Sequence, residues 1–511
     1  MTPIKKLCLA TVAMALCLPV TDIAFAQSDN EEELQELRVG TWALPPGQGN
    51  PFSGRSTPGI FVWDAVFDPL VRIGEGGAPT PVLATDWESV NDTTWRFSLR
   101  DGVSFSNGVP LNAAAVVGTL EYLMTEDGRA TPVGGEIRNV TGATAVDDMT
   151  VEITTSGPDP VLPNKLALVY IIEPSAWQVL GTEGFAVDPV GTGAFSVEGW
   201  GAGEVTMVAN PSSWRETELD SITILDLPER PARLQALLSG QIDVGFGFSP
   251  DNIGQMEGDG IVVEATAAPQ VMSLVFATEA HPDSPFNDAR VRQAANLAVN
   301  RTAIAEILLG GLGAPAGQAG TPAAFGYDPS IPPYPYDPDQ ARALLDEAGY
   351  GDGFDVTAHV VVGSFPADSE IYQQSAIDLA QVGINVELQQ IRFPEWLDYF
   401  LANSWPGEMF GSSWNTSPYL DSIRPYTYMT CMKRTPHFCD ESMTPAVDAT
   451  YQEFDPAARE QLLFDLHRLT NEVLPALWLV EQVDVTGWRP EVSGLEYVNR
   501  SVDYDNVTIS E

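Results

Sequence analysis

The chain has 511 residues, of which 44% are hydrophobic and only 19% are charged, so it can build real cores and is not a highly charged disordered chain. Its 70 acidic residues outnumber its 25 basic residues and give a net charge of −45, which argues against nucleic acid as a partner. This length exceeds that of a typical single domain, so two or more lobes are expected. The acids are scattered, which favours a solvated surface; attraction of a cationic solute is the alternative.

The first 26 residues are predicted to be a cleaved secretory signal peptide. Lys5 and Lys6 precede the apolar stretch Leu7–Val20, and Ala24-Phe25-Ala26 supplies a small-x-small cleavage site. The apolar stretch is too short for a stable membrane span. A lipid anchor at Cys17 is disfavoured because the residue before it is not small. We therefore expect export to the periplasm after cleavage behind Ala26.

Four cysteines are present, and two of them, Cys8 and Cys17, would leave with the signal peptide. The remaining pair, Cys431 and Cys439, is predicted to form a disulfide in an oxidising periplasm. Two free buried thiols are the alternative. A metal site is less favoured because His437 is the only histidine between them.

The first half of the chain interleaves strands and helices. Alternating apolar residues predict strands, whereas apolar residues at helical spacing predict helices. Asn112 is a predicted N-cap. The predicted strands are Glu36–Trp42, Trp95–Arg100, a strand-rich stretch Thr144–Thr155, Glu204–Ala209, Ile222–Asp226 and Ile242–Phe248, and the predicted helices are Ile60–Leu70, Ala113–Leu123 and Arg230–Leu238.

The second half has longer helices. Gly310-Gly311 marks the predicted end of the first of them. The predicted helices are Ala289–Leu309, Asp337–Ala348, Ser369–Leu379 and Pro456–Val473, and the predicted strands are Val356–Val362, Asn385–Gln390 and Leu477–Val485. Two segments rich in proline and glycine, Gly310–Pro338 and Ser404–Tyr419, are predicted to be long loops, which commonly bind ligands. The chain is therefore of the α/β class.

No pattern of catalytic residues stands out. The sequence contains no GxSxG, Walker loop, HExxH or strand-linked GxGxxG. Its four histidines, His281, His359, His437 and His467, lie in no recognisable catalytic pattern. We expect a protein that is not an enzyme, has no catalytic residues and no resident metal, and uses no cofactor, although a hydrolase with dispersed catalytic residues stays an alternative.

Six blocks resemble the peptide/nickel family of periplasmic solute-binding proteins, of the dipeptide- and oligopeptide-binding type. The largest, Val66–Val116, contains VFDPLVRIGEGGAPTPVLATDWESVNDTTWRFSLRDGVSFSNGVPLNAAAV. The others are PVGTGAFSVEGW (189–200), NPSSW (210–214), LLSGQIDVGF (237–246), FNDARVRQAANLAVNRTAI (286–304) and YDPDQARALLDEAGY (336–350). They follow the order of the family and span most of the chain.

The resemblance implies a two-lobed periplasmic binding protein fold with a hinge. Residues 27–65, 189–277 and 475–511 would form lobe I, 66–188 its extra subdomain, and 278–474 lobe II. It also implies the solute-binding subunit of an ABC importer, a monomer that delivers a peptide or peptide-like solute to a permease driven by an ATPase. A binder of an oligosaccharide, opine or metal chelate on the same fold is the alternative; a chemoreceptor accessory protein and a holdase-like chaperone are further ones.

Both charged anchors that dipeptide binders of this family use are absent from the matching positions. Asn415, Thr416 and Ser417 stand where an acid would hold the ligand amine, and Asp421 lies further along. The segment Gly363-Ser364-Phe365 stands where an arginine would hold the carboxylate. An unpaired buried charge costs several kcal/mol. A plain zwitterionic dipeptide is therefore disfavoured, whereas longer or modified peptides, opines and oligosaccharides remain candidates.

Aromatic and polar residues near these positions are the predicted ligand contacts. Trp414 comes first because its ring could stack on a solute, followed by Tyr419, Trp42 and Phe365. Asn415, Ser417 and Ser364 complete the predicted binding residues. Each aromatic ring could instead belong to the core or the rim.

Overall fold

The structure is a computed structural model that describes residues 34–55 and 57–510, so the predicted signal peptide lies outside the described residues. The helices are α1 (Ile60–Val66), α2 (Ala113–Met124), α3 (Glu126–Ala130), α4 (Pro132–Glu136), α5 (Leu162–Leu166), α6 (Pro174–Val187), α7 (Arg230–Leu238), α8 (Ile253–Gly258), α9 (Ala289–Ala298), α10 (Arg301–Leu308), α11 (Pro338–Ala348), α12 (Asp368–Ala380), α13 (Phe393–Ala402), α14 (Arg424–Met429), α15 (Met443–Gln452) and α16 (Pro456–Val473). Within these ranges no helix has both the length and the hydropathy to cross a membrane.

Strands are spread along the whole described chain. They are β1 (Glu36–Thr41), β2 (Val71–Ile73), β3 (Pro79–Pro81), β4 (Ala84–Asn91), β5 (Thr94–Leu99), β6 (Val140–Asp147), β7 (Thr150–Thr155), β8 (Phe195–Gly201), β9 (Glu204–Ala209), β10 (Ser221–Asp226), β11 (Val244–Phe248), β12 (Val262–Phe276), β13 (Ala314–Pro315), β14 (Phe354–Val360), β15 (Ile384–Gln390), β16 (Met409–Asn415), β17 (Ala476–Trp488), β18 (Val492–Ser493), β19 (Glu496–Val498), β20 (Ser501–Asp503) and β21 (Thr508–Ile509).

One 11-stranded sheet connects the two lobes. Its order is β15-β14-β16-β12-β17-β11-β1-β10-β9-β8, with β13 added beside β17. The two long central strands, β12 and β17, pair antiparallel, and their register shifts between Ala267 and Ser273. Beyond this shift β12 pairs with β16 on one side, while the other end of β17 pairs with β11. The two strands therefore belong to both halves of the sheet and join them.

Separate apolar clusters fill the regions around the sheet. From Gln35 onward the chain forms one compact unit. In the C-terminal half, α9 to α12 pack on β14 around Leu345, Ile371 and Leu379, all buried. A separate sheet of four strands, β4-β5-β7-β6, packs against α2 in the N-terminal half. The α/β class and the two-lobed fold are thereby confirmed.

Three local predictions differ from the structure. The predicted helix Ala289–Leu309 is two helices, because Val299 is extended and the Asn300 side chain accepts a hydrogen bond from the Ala303 amide to start α10. The predicted helix Ile60–Leu70 ends at Val66. The predicted loop Ser404–Tyr419 contains β16, which pairs with β12 over seven residues.

Candidate functional site

Two adjoining chambers lie between the halves of the sheet, and we call them together the cleft. The polar chamber has a volume of about 920 Å³ and is lined by Trp42, α7 and the β12–β17 joint. The aromatic chamber has a volume of about 680 Å³ and is lined by α13, β16 and α14. Both are lined by Ser364, Phe365, Phe393 and Arg500, so they form one continuous space.

Buried polar groups without partners line the polar chamber. Gln270 on β12 and Gln482 and Thr486 on β17 are each at most 2% exposed. The Gln270 Nε2, Gln482 Oε1 and Thr486 Oγ1 atoms have no hydrogen-bond partner among the described residues. An unsatisfied buried polar atom costs about 1–3 kcal/mol. Gln270 and Gln482 lie where the register of β12 and β17 shifts, and Thr486 lies four residues beyond Gln482 on β17. This part of the cleft can therefore form hydrogen bonds to a polar ligand.

The aromatic chamber has an apolar wall on one side, formed by α13. Apolar residues recur along α13 at helical spacing, and Phe393, Trp396, Leu397, Phe400 and Leu401 all line the chamber. The Trp396 ring stacks on Phe400 at 4.7 Å and on Phe393 at 5.8 Å between centroids. Phe393 and Leu401 are 59% and 61% exposed. An apolar surface of this kind at a cleft is suited to an apolar ligand group.

A charged triad, formed by Arg55, Glu136 and Arg424, also lines the aromatic chamber. Glu136, the last residue of α4, accepts hydrogen bonds from Arg55 and from Arg424 Nη2, the latter at 3.0 Å. Arg424 also donates from Nη1 to the Asn415 carbonyl at 2.8 Å, and its guanidinium lies 5.1 Å from the Tyr428 ring. Burial alone would raise the pKa of Glu136, but the charges of Arg424 and Arg55 outweigh it and lower the pKa.

The polar chamber has further arginines. Arg500 forms a two-pronged pair with Asp484, at 2.6 and 2.8 Å. Arg233 donates to backbone carbonyls, among them Phe246 at 2.7 Å, and burial together with nearby Arg230 lowers its pKa to about 10. It is therefore still charged at neutral pH.

Five predicted contacts line the cleft and two do not. Asn415 and Ser417 line the aromatic chamber, Trp42 the polar chamber, and Ser364 and Phe365 both. Their role as ligand contacts remains a prediction.

Trp414 and Tyr419 lie elsewhere. Trp414 is 0% exposed and packs edge-on against Trp478 at 4.9 Å and Tyr426 at 5.6 Å. It pairs with buried Val271 across the sheet, and side chains alternate along a strand, so it faces the core rather than the cleft. Tyr419 is also buried, and its carbonyl accepts a hydrogen bond from Asn164 at 3.0 Å.

Asp421 and the segment Gly363-Ser364-Phe365, which lie near the positions expected for charged ligand anchors, are both engaged in internal contacts. Asp421 is buried and accepts two hydrogen bonds from Arg459, at 2.6 and 3.0 Å. The amides of Gly363, Ser364 and Phe365 all donate to the carboxylate of Asp368 at 2.8–3.0 Å. These amides precede α12 and would otherwise suit an anion. Neither segment therefore presents a free charged group to a ligand.

The predicted disulfide supports the wall of the aromatic chamber. Cys431 and Cys439 are joined, with S–S 2.05 Å. Between them, the His437 ring packs 4.5 Å from Phe400 of α13, and Lys433 donates to the Phe400 carbonyl. Burial, and then the charge of Lys433, lowers the pKa of His437 to about 3, so it is neutral. The described residues contain no cluster of three metal-ligating side chains.

Several site residues were not identified from the sequence. The pattern FPEWLDYFLA has apolar residues at helical spacing and a proline in its first turn, so α13 could have been found. Arg424, Glu136 and Gln482 carry no local signal, because only the fold brings them to one cavity.

Comparisons with known proteins agree with this architecture. The family model described as "Bacterial extracellular solute-binding proteins, family 5 Middle" matches residues 78–435. The glutathione-binding protein GsiB of Salmonella typhi is 30% identical over 345 residues, and that of Escherichia coli strain K12 is 29% identical over 352. Each match covers 66% of this chain and 66% of the relative.

Solved structures share the fold over nearly the whole chain. HbpA2 from Haemophilus parasuis has a TM-score of 0.82 at 21% identity, covering 93% of this chain and 100% of its own. DppA from Helicobacter pylori, in complex with the peptide STSA, has a TM-score of 0.76 at 22% identity, covering 93% and 98%. The resemblance found in the sequence is confirmed, and the chain belongs to family 5 of the bacterial extracellular solute-binding proteins.

Proposed function

We propose that this chain is the periplasmic solute-binding subunit of an ABC importer and captures a peptide or peptide-like small solute between its two lobes. The observation that carries the proposal is the cleft, where buried polar atoms without partners line a cavity at the joint of the two lobes. A polar ligand would satisfy these atoms. Two relatives support the solute class: GsiB is named a glutathione-binding protein, and the DppA structure holds a peptide.

The proposed working cycle uses the lobes as rigid bodies. Lobe I is residues 27–65, 189–277 and 475–511, with the extra subdomain 66–188, and lobe II is 278–474. They close over the solute by bending at β12 and β17. The signal peptide, residues 1–26, directs export to the periplasm. There the protein acts as a monomer, without a cofactor and without chemistry, and passes the solute to the permease that an ATPase drives.

Native mass spectrometry of protein purified without denaturant tests this function. We expect a bound small molecule, and a rise in melting temperature when a peptide library is added to ligand-free protein. A ligand that is released intact distinguishes a binding protein from a hydrolase, which would release products. If no peptide, opine or oligosaccharide raises the melting temperature, the proposed function is wrong.

A pair of variants locates the binding to the cleft. Gln482→Leu removes a buried acceptor of the polar chamber and should weaken binding of the identified solute by about tenfold. Gln241→Leu, at an exposed glutamine that lines neither chamber, is the matched control and should bind as the unaltered protein does. Equal affinities for the two variants would contradict the polar chamber as the site.

A further inference from the structure

The charge of the cleft is opposite to the charge of the chain. Five arginines line the two chambers against three carboxylates, a formal excess of two positive charges. The whole chain has 25 basic and 70 acidic residues. One basic residue in five therefore lines the cleft, whereas fewer than one acid in twenty does. Concentration of one charge in a concave site attracts a ligand of the other sign.

The carboxylates in the cleft are poorly placed to hold a ligand amine. Glu136 is bound by Arg55 and Arg424, and Asp484 is bound by Arg500. Glu229, the third, is exposed at the start of α7. To bind Glu136 or Asp484, a ligand ammonium would have to displace an arginine that is already paired with that carboxylate. Removing one partner of a buried ion pair is costly.

One hydrogen-bond donor of Arg424 has no partner among the described residues. Its side chain is only 8% exposed, yet its Nε atom has no hydrogen-bond partner among the residues that the structure describes. Arg55, which is assigned to lobe I as Glu136 is, pairs with the same Glu136 and is half-exposed. A ligand carboxylate at this corner would meet two guanidinium groups that share a single protein carboxylate. Charge-assisted hydrogen bonds of this type are the strong ones.

A separate part of the wall of the same chamber, formed by α13, is apolar. The exposed faces of Phe393, Leu397 and Leu401 recur at every fourth residue of α13. Covering such side chains stabilises a complex by about 25 cal/mol per Å² of apolar surface. A ligand that fills the aromatic chamber thus meets positive charge at the Arg55–Arg424 corner and an apolar surface along α13.

We infer that the solute is an amphipathic anion, with an acidic group at the Arg55–Arg424 corner, a bulky apolar group against α13, and neutral hydrogen-bonding groups in the polar chamber. This inference rests on the proposed function and specifies its ligand class. A free amine is not needed for binding. The acidic surface outside the cleft then has no part in choosing the solute.

Isothermal titration with four matched probes tests the ligand class. The probes are N-acetyl-Leu-Phe with a free carboxylate, its C-terminal amide, the polar acid N-acetyl-Ser-Gly, and the cationic Lys-Phe amide. We expect the first to bind at least about tenfold more tightly than each of the others, because each lacks the charge or the apolar group. Equal or tighter binding of any of the other three overturns the inference.

Two variants at exposed positions, which leave the cores intact, assign the ends of the ligand. Arg55→Gln should weaken the binding of N-acetyl-Leu-Phe about fivefold and leave the affinity for its C-terminal amide unchanged. Arg290→Gln, at an arginine of similar exposure away from the cleft, should alter neither. Phe393→Ser should weaken the binding of N-acetyl-Leu-Phe. Ile377 is 56% exposed on α12 outside the cleft, and Ile377→Ser should leave that binding unchanged. Variants indistinguishable from their controls overturn the assignment.

The inference and the proposed function fail differently. If none of the four probes binds, the solute that co-purifies with the protein decides: an anion with a bulky apolar group supports the inference, and a neutral, cationic or wholly polar solute overturns it. In either of those cases the role as a solute-binding protein holds. A protein that binds no solute of any class contradicts both.

Discussion

Replacing Glu136 by glutamine tests whether the triad that lines the aromatic chamber holds the lobes together. Glu136 lies on α4 in the N-terminal half, and Arg424 begins α14 in the C-terminal half. The two side chains are 12% and 8% exposed. The Glu136→Gln change keeps the size of the side chain but removes its charge. Arg424 is then left buried without a carboxylate.

The cost can be worked out from these contacts. Removing one partner of a buried ion pair costs about 3–5 kcal/mol, because the remaining charge is uncompensated. Arg424 keeps its hydrogen bond to the Asn415 carbonyl and its contact with the Tyr428 ring. Arg55 is half-exposed and regains water. We therefore expect the free energy of unfolding to fall by about 2–3 kcal/mol.

Urea unfolding followed by circular dichroism measures this loss. Glu152→Gln is the matched control, because Glu152 pairs with Arg96 at the surface, where such a pair contributes about 1 kcal/mol or less. Combining Glu136→Gln with Arg424→Gln should cost less than the sum of the two single changes. A Glu136→Gln protein as stable as the Glu152→Gln control would refute the reasoning.

The same substitution has a defined dependence on pH. The pKa of Glu136 in the folded protein lies below its ordinary value of 4.5, because Arg424 and Arg55 outweigh the effect of burial. Its contribution to stability is therefore complete above about pH 4.5 and is lost as the pH falls through the folded pKa. The difference between the unaltered protein and Glu136→Gln should narrow in acid; a difference that widens would contradict the ion pair.

Three further predictions follow from single contacts. Replacing Cys431 and Cys439 by serine should lower the free energy of unfolding by about 2–3 kcal/mol, measured by urea unfolding with and without reductant; no change would show that the pair is not oxidised. Asp421→Asn should cost about 3–5 kcal/mol by leaving Arg459 unpaired, with ligand affinity by titration changed less than tenfold; a larger change would make Asp421 a ligand contact. Burial raises the pKa of Glu481 to about 7, so the stability of the protein falls as the pH rises from 4.5 to 7. In thermal melts, Glu481→Gln should stabilise the protein by up to about 3 kcal/mol at pH 8 but not at pH 4. Equal effects at both pH values would contradict this.

Local signals in the sequence were sufficient for most elements of the fold. Asn112 was predicted to cap α2, and its side chain accepts from the Ala115 amide at 3.2 Å. The break between α9 and α10 was missed because the run of apolar residues continues across Asn300, and its capping role depends on the local turn. The resemblance to the family supplied the two-lobed arrangement, which periodicity alone does not.

The binding residues were harder to predict because they depend on side-chain direction and on distant partners. Trp414 was ranked first from its chemistry, but its pairing with Val271 turns the ring to the core. Its neighbour Asn415 lines the aromatic chamber. Arg424 meets Glu136 across 288 positions of sequence. A single sequence contains no record of such a meeting.

The paired central strands determine how the cleft can open. β12 and β17 are hydrogen-bonded to each other on both sides of their register shift. A two-stranded ribbon resists sliding and splaying within its plane, but bends easily across its face, most of all where the ladder is interrupted. If the lobes close by bending at β12 and β17, as proposed, the axis of that rotation lies beside Gln270 and Gln482. Ligand atoms bound to these glutamines would then lie close to the axis, where each degree of rotation moves them least. The deep end of the solute would stay held while its outer end is released first.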